Sequence, residues 1–509
     1  MAKIYDLSVS LRPDNLETME TRWAFTPHDE AARLFARRHG VKVSDLPHAS
    51  FFSNERITLK THAGTHLDAP YHFYPTSEGR PAKRIDEIPL EWCIGDAVVL
   101  DFHRKKPPEV ITEYDVAAEL ERINYTPRKG DIVILHTGGT DHYDDDPHFS
   151  ESATGMNGGA LNYLFRFGVR IMATDSHTID LPIPLMTERL LKGEKAAYFP
   201  IHRAGRHTEW THAEKLANLR SLPGSVGFKV MFFPVKVTKA TGAWIRAVAI
   251  EDEWLSAHSV SPVDLSLPIM NRSFEPEESF ISTTHHDQSS RSKAKRLRML
   301  ASDVVHAGAI DDVETYTHAG THVDAPYHFG PTLNGKKALT ADELPLEMFY
   351  GDTVLLDFAD RKRPAGTISR SDVTSQLDRI GYRLKKEDIV LIRTGAGDSF
   401  ADDPAFADLA LALEPGALFW LLDQGIKVVG CDAESLDGPV QPMVEALRAG
   451  RRENFFPIHY AGREREFCLI QKMDLRALPR PHGFKIAAFP IKLAGCGAAW
   501  ARAVALVPG

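Results

Sequence analysis

The stretch THAGTHLDAPYHF at residues 61–73 recurs as THAGTHVDAPYHF at residues 317–329, displaced by 256 residues and with a single replacement. The same register continues along the chain, where the matched segments are GDAVVLDF and GDTVLLDF, GDIVILHTG and EDIVLIRTG, YFPIHRAGR and FFPIHYAGR, and GFKVMFFPVKV and GFKIAAFPIKL. A repeat of so long a period indicates duplicated domains rather than a solenoid of short units. The sequence therefore predicts two tandem copies of one module.

We place the two modules at residues 1–254 and 263–509, around the polar linker EDEWLSAHSVSP at 251–262. Short β-rich runs, such as AVVLDF and DIVILHT, alternate with helix-like stretches, such as DVAAELERI at 115–123 and ALNYLFRFG at 160–168. Strands that alternate with helices are typical of α/β folds. We predict an α/β module with a mixed β-sheet core and flanking helices, present twice.

The composition argues against several classes of protein. The chain has 509 residues, a formal net charge of -9 and 43% hydrophobic residues, which is a globular balance and unlike that of a basic nucleic-acid binder. No stretch is long and apolar enough to span a bilayer, and the start has no apolar signal core. Four cysteines without a CxxC pair predict neither a disulfide framework nor a zinc–thiolate site. We expect a cytoplasmic protein that binds neither nucleic acid nor membrane.

Ionisable side chains are densely packed in the repeated motif. His62, His66, Asp68 and His72 fall within eleven residues. The second copy repeats them as His318, His322, Asp324 and His328. Imidazole and carboxylate are the ligands of Zn, Mn and Fe sites in proteins. The alternative is a set of satisfied core histidines that the duplication copied, but burying four such groups without partners is costly. We therefore predict a metal site in each module.

The spacing of these residues requires the backbone of the motif to curl. In an extended strand, a rise of about 3.3 Å per residue would hold His62 and His66 about 13 Å apart, too far to share an ion. Gly64 permits an unusual φ, and Pro70 prevents the run from continuing as a ladder strand. We predict a curled segment that brings His62, His66 and Asp68 onto one metal and leaves His72 just outside it.

With its spacing HxGTHxDxPxH, the motif resembles the signature of the cyclase family of metal-dependent enzymes. That family includes bacterial kynurenine formamidase, isatin hydrolase and cyclases of aromatic polyketide pathways. The resemblance covers essentially the whole of both modules and implies a swivelling β/β/α-like fold with a divalent metal, Zn or Mn. Because members of the family are oligomers, it also implies an internal pseudo-dimer that relates His66 to His322. Further homo-oligomerisation stays open.

The resemblance implies a second pair of metal-binding residues in each module, a histidine and an acid or amide twelve residues later. In the first module these positions are His202 and Glu214, and in the second they are His459 and Gln471. Glutamate is an anionic ligand that can bridge two ions, whereas Gln471 offers one neutral carbonyl oxygen. The alternative for the two histidines is a structural role at the end of a strand.

The implied chemistry is activation of a carbonyl group in a small-molecule substrate. A metal of this kind polarises a carbonyl oxygen and lowers the pKa of water to about 7. His72 and His328 are assigned to proton transfer. We predict no organic cofactor. Ring cyclisation of an aromatic polyketide-like compound by an aldol-type reaction is the favoured reaction, because the ending GFKVMFFPVKV resembles that branch more closely. Hydrolysis of an amide, formamide or lactam is one alternative, and a non-catalytic role for one module is another.

Overall fold

The computed structural model describes residues 2–509 except 18, 20, 272, 273, 305, 362–365, 401, 402 and 404. The strands of the first repeat, β1 to β13, are in chain order Lys3–Asp6, Arg22–Thr26, Asn54–Lys60, His66–Asp68, Thr76–Ser77, Arg80–Pro81, Ile94–Asp101, Ile132–His136, Ile171–Thr174, Thr211–Glu214, Lys229–Met231, Gly242–Trp244 and Val248–Glu251. Those of the second repeat, β14 to β28, are Val260–Asp264, Phe280–Thr284, Ile310–Tyr316, His322–Asp324, Thr332–Leu333, Lys336–Lys337, Tyr350–Asp357, Thr367–Ile368, Ile389–Arg393, Ala412–Leu413, Val428–Cys431, Cys468–Gln471, Phe484–Ala487, Ala498–Trp500 and Val504–Pro508.

The helices accompany these strands in the same order in both repeats. Helices α1 to α13 are His28–His39, Pro70–Phe73, Glu113–Arg122, Gly158–Phe165, Ile183–Leu191, Pro200–Ala204, Glu253–Ala257, His286–Leu297, Pro326–Phe329, Arg370–Ile380, Pro415–Asp423, Val440–Arg448 and Pro457–Ala461. The helix-like stretches expected at 115–123 and 160–168 correspond to α3 and α4, and Gly168 follows α4 with a φ of +79°. The predicted linker contains the short helix α7.

The chain forms two compact units that do not follow the two repeats. Unit 1 comprises Met1–Thr21, Leu59–Trp254 and Ile281–Val313, and unit 2 comprises Arg22–Thr58, Leu255–Phe280 and Glu314–Gly509. Each unit is therefore built on one repeat and also contains a segment of the other. The module boundaries 1–254 and 263–509 describe the sequence repeat and, like the internal pseudo-dimer, stay predictions.

Within the described residues, each unit contains a nine-stranded mixed sheet, which confirms the predicted fold class. In unit 1 the order is β1-β13-β11-β7-β8-β9-β10-β4-β12, and in unit 2 it is β14-β28-β26-β20-β22-β24-β25-β17-β27. Four central strands of each sheet, β7 to β10 and their counterparts, run parallel, and the outer strands pair antiparallel. The central strands are buried and rich in Val, Ile and Leu, as parallel strands covered on both faces require.

Helices cover the sheet in each unit and close its core. In unit 1, Val116 of α3 and Leu161 of α4 lie in one buried cluster with Val98 and Val133 of the sheet. An equivalent cluster fills unit 2. All four cysteines are free and buried. Within the described part of the chain, none of the helices combines the length and apolar character that crossing a bilayer requires.

The segment that each unit takes from the other repeat carries an amphipathic helix. In unit 2, α1 buries Phe35 against Phe51, Phe455 and Phe456, with ring centroids 4.3, 5.3 and 6.3 Å away. In unit 1, α8 buries Ala294 in a cluster with residues of α5. These helices complete the cores of the two units. The core of each unit therefore contains residues from both repeats.

Phe35→Ala is expected to destabilise unit 2 by about 3 kcal/mol, because removing a buried aromatic ring loses its transfer free energy and leaves a cavity. Its neighbour Leu34 is 51% exposed, so Leu34→Ala is the matched control and should change stability by less than about 0.5 kcal/mol. Denaturant unfolding of the full chain measures both. Equal effects of the two substitutions would show that α1 is not part of the core of unit 2.

Candidate metal centres

The repeated motif curls at a glycine with a left-handed backbone. Gly64 has a φ of +59° and Gly320 a φ of +55°. A Cβ at Gly64 would lie 2.7 Å from the Leu11 side chain, so any other residue would be strained at this φ and would have to displace Leu11. After the turn the chain forms β4, and Pro70 begins α2. The curl predicted from Gly64 and Pro70 is confirmed.

A buried ion pair holds this turn, and the sequence motifs did not predict it. Glu17 accepts a hydrogen bond from the Gly64 amide at 2.6 Å and lies 2.9 Å from Lys215 Nζ. Lys215 also donates to the His62 carbonyl at 2.8 Å. The same arrangement in unit 2 uses Glu275, Lys472, Gly320 and His318. The recurring lysine directly after Glu214 and Gln471 was the available signal.

Asp68 lies at the centre of the site in unit 1, and its Oδ1 faces two histidines of the motif. His62 Nδ1 lies 2.7 Å and His66 Nε2 3.2 Å from this oxygen. The second ring nitrogen of His62 lies 3.0 Å from the Thr241 hydroxyl, and that of His66 lies 2.9 Å from the Gly64 carbonyl. Both rings are therefore held in place from their far side.

The other carboxylate oxygen of Asp68 faces three more histidines. Its Oδ2 lies 3.4 Å from His212 Nε2, 3.6 Å from His72 Nε2 and 3.8 Å from His202 Nε2. Glu214 joins them, with Oε1 2.8 Å from His212 Nε2. Among the described residues, two groups share Asp68 and hold ligand atoms within 4.8 Å of one another: Asp68, His202, His212 and Glu214 in one, and His62, Asp68 and His72 in the other.

A buried aspartate orients His202. Asp180 accepts from His202 Nδ1 at 2.6 Å and from the Ile201 amide at 2.8 Å, which turns Nε2 towards Asp68. Burial would lower the pKa of His202, but the hydrogen bond and charge of Asp180 outweigh it and raise the pKa to about 9. A carboxylate behind a histidine in this way is common at metal sites, where the cation takes the place of the proton.

Some buried polar atoms of the site have no hydrogen-bond partner, which is expected where a metal ion would bind. In unit 1 these atoms include His66 Nε2, Asp68 Oδ2 and His212 Nδ1. The first of them faces Asp68, and the second faces His212 Nε2. Buried polar atoms are normally paired, and leaving them unpaired is costly. Two carboxylates, Asp68 and Glu214, among four or more imidazoles provide the donors that Zn or Mn requires. The residues of unit 1 therefore fit a divalent metal.

Unit 2 repeats the arrangement around Asp324. Its Oδ1 lies 3.3 Å from His322 Nε2 and 3.4 Å from His318 Nε2, and its Oδ2 lies 3.9 Å from His459 Nε2. Both oxygens of Asp324 and Nε2 of His322 are buried without hydrogen-bond partners. His328 lies beside His318, with 3.0 Å between their facing ring nitrogens, and His318, Asp324 and His328 form a potential metal group. These residues also fit a divalent metal.

The two centres differ on one strand. In β10, His212 and Glu214 lie two residues apart on one face, and Glu214 is opposite His66 in the sheet. At the same places β25 carries Leu469 and Gln471, with Gln471 opposite His322. His212 was not predicted from the sequence, although its spacing to Glu214 on a strand was the available signal. Unit 2 therefore lacks both a histidine and a carboxylate that unit 1 offers.

The family model described as "Putative cyclase" matches residues 5–181 and 263–438, which is one match in each repeat. The chain belongs to the cyclase family. The family assignment and the hydrolases named among its relatives make it a hydrolase-like enzyme, and among the described residues both units contain groups able to hold a metal ion.

Named relatives each match less than half of this chain. A kynurenine formamidase from Salinibacter ruber is 30% identical over 188 residues, covering 37% of this chain and 75% of the relative. An isatin hydrolase from Roseibium aggregatum is 24% identical over 208 residues, covering 39% and 75%. The crystal structure of an isatin hydrolase bound to the product analogue thioisatinate has a TM-score of 0.39 at 18% identity, over 50% of this chain and 95% of that one.

The difference between β10 and β25 predicts unequal metal binding. We expect unit 1 to hold two ions at saturation, since two negative charges offset cation–cation repulsion, and unit 2 to hold one. Leu469→His with Gln471→Glu should then raise the metal bound to the full chain by one equivalent, measured after equilibrium dialysis against Zn²⁺. The matched reverse variant, His212→Leu with Glu214→Gln, should lower it by one. Unchanged stoichiometry in both variants would contradict the two-ion centre.

Proposed function

We propose that the enzyme hydrolyses an amide-type bond in a small carbonyl compound, such as an N-aryl formamide or a lactam. The observation that carries this proposal is the orientation of His72. Its Nδ1 lies 2.7 Å from the Ala309 carbonyl, which can only accept, so Nδ1 bears the proton and Nε2 keeps its lone pair. That Nε2 faces Asp68 at 3.6 Å. A base is thus directed into the centre of the site.

The residues suit the proton transfers of amide hydrolysis. Burial, opposed by the charge of Asp68 but reinforced by that of His62, holds the pKa of His72 well below its usual value, which keeps the ring neutral. His72 would accept a proton from the attacking water at Nε2 and return it to the departing amine nitrogen. A divalent ion held by the residues around Asp68 would polarise the substrate carbonyl and acidify water.

The relatives favour hydrolysis over cyclisation. Kynurenine formamidase and isatin hydrolase are names of hydrolases. Cyclisation of an aromatic polyketide, the reaction favoured from the sequence, would use the same carbonyl activation with water excluded. It becomes the alternative, because nothing in the geometry of the site favours it specifically.

We place the principal activity in unit 1. There the polar ring of His306 lies beside His202, with centroids 5.8 Å apart. In unit 2, Phe52 packs beside the site, with its ring centroid 4.9 Å from that of His459 and 5.6 Å from that of His328. Together with the missing histidine and carboxylate on β25, this supports a weaker or differently specific reaction in unit 2.

A substrate panel tests the proposal. The full chain, loaded with Zn²⁺ or Mn²⁺, is expected to release formate from N-formyl aryl amines or to open the ring of isatin-type lactams. A chelator should abolish turnover, and the metal should restore it. Absence of hydrolysis across the panel, with metal-dependent condensation of a poly-β-ketone instead, would overturn hydrolysis in favour of cyclisation.

A further inference from the structure

A second type of histidine–aspartate cluster lies at the ends of two neighbouring strands of unit 1. Asp101 ends β7, His136 ends β8 directly opposite it, and His103 follows two residues after Asp101. His103 Nδ1 lies 2.7 Å and His136 Nδ1 3.3 Å from Asp101 Oδ1. The ligand atoms of all three residues lie within 4.8 Å of one another. The cluster shares no residue with the groups around Asp68.

The far side of His136 is arranged as it is at metal sites. His136 is 8% exposed, and its Nε2 is buried without a hydrogen-bond partner, 3.9 Å from Asp175 Oδ2. Asp175 is itself fixed, since it accepts from the Thr137 and Gly138 amides, both at 2.8 Å. If His136 binds a cation through Nδ1, its proton must lie on Nε2, facing this carboxylate. A carboxylate behind a ligating histidine fixes the tautomer and strengthens the ligand.

Unit 2 provides a natural comparison at the same positions. Asp357 corresponds to Asp101, but the residue opposite it is Arg393 and the residue two further along is Ala359. The Arg393 guanidinium lies 2.9 Å from Asp357 and 3.0 Å from Asp398. A permanent cation therefore sits among the carboxylates in unit 2. In unit 1 the two positions carry His136 and His103, so imidazoles take the place of this permanent cation.

We propose that Asp101, His103 and His136 form a separate binding site for a transition-metal cation of the Zn²⁺ class, present in unit 1 and replaced by Arg393 in unit 2. Two imidazoles and one carboxylate select Zn²⁺, Ni²⁺ or Cu²⁺ over Mg²⁺ and Ca²⁺, which prefer oxygen ligands alone. The side chains of His103 and Asp101 are 34% and 39% exposed, so the ion exchanges with solvent and keeps water in its remaining positions. The site ties the ends of β7 and β8 together.

The repeat supplies variants for the test. His103→Ala with His136→Arg gives unit 1 the residues of unit 2, and Ala359→His with Arg393→His does the reverse. After equilibrium dialysis of the full chain against Zn²⁺, the first variant should bind one equivalent less than the wild type, and the second one more. Cu²⁺ added as a probe should give a d–d absorption band from this site in the wild type that the first variant lacks. Turnover at the Asp68 centre should be unchanged in both variants.

The single variant His103→Ala guards against misfolding, because the side chain is partly exposed and its loss leaves the core intact. It should also lose one equivalent of Zn²⁺ at a concentration that saturates the wild type, with an unchanged far-ultraviolet circular dichroism spectrum. Equal Zn²⁺ binding by the wild type, His103→Ala and the first double variant would overturn the proposal. The histidines would then act only as hydrogen-bond donors to Asp101.

Discussion

Replacing His66 and His322 together with alanine is expected to remove the metal from both centres and to abolish turnover. Each histidine presents a buried Nε2 without a hydrogen-bond partner, 3.2 Å from Asp68 in unit 1 and 3.3 Å from Asp324 in unit 2. A ligand in the middle of the donor set cannot be replaced by a neighbouring side chain, since its strand is paired on both sides. Elemental analysis and turnover of the full chain measure the effect.

The single variants then assign activity to the units. His66→Ala should abolish most of the turnover, because unit 1 has the larger donor set, whereas His322→Ala should retain most of it. The full chain must be used, since each unit contains a segment of the other repeat and an isolated half would lack it. If the double variant keeps its full metal content, the HxGTHxD motif does not bind the metal. Any metal bound at Asp101 survives these substitutions, and it is measured independently as the equivalent that His103→Ala loses.

The sequence predicted the centre of each site because the motif constrains its own backbone. Gly64 permits a left-handed backbone, and Pro70 cannot continue a paired strand, so the chain curls between them. The curl brings His62, His66 and Asp68 together. His202 and Glu214 lie more than 130 residues further along the chain. The place of Glu214 beside Asp68 depends on how β10 pairs with β4, and that of His202 depends on the contacts of α6 with Asp180. No local pattern specifies either. They were therefore predicted from the family resemblance alone, and His212 was missed.

The composition of the two units could not be predicted from the repeat. Sequence similarity shows that α1 and α8 are related, but it does not show which copy of the module each one packs against. The sequence of α1 is compatible with packing of its apolar face against either copy of the module, as in domain-swapped proteins. The same limit applies to the carbonyl that orients His72, because Ala309 belongs to a segment of the second repeat. Only the three-dimensional arrangement identifies such partners.

His72→Ala is expected to lower kcat by about 10²–10⁴ and to leave the metal content of the full chain unchanged. The residue has one ring nitrogen held by the Ala309 carbonyl and the other directed at Asp68, which is the arrangement of a proton carrier rather than a core histidine. His328→Ala is the matched control. His328 Nδ1 lies 2.7 Å from the Ser53 carbonyl in the same way, but in the unit to which we assign less activity. Its loss should therefore change kcat much less.

A second variant tests the positioning of His72 without removing it. A Cβ at Gly308 would lie 2.4 Å from His72 Cε1, so Gly308→Ala should displace the ring and lower kcat in the same direction, with KM less affected. Loss of metal in His72→Ala would give the residue a different role. Its ligand atom lies within 4.8 Å of those of His62 and Asp68, so His72 would then be a ligand, and the proton would have to be carried by another group. Retention of both metal and full turnover in His72→Ala would exclude either role.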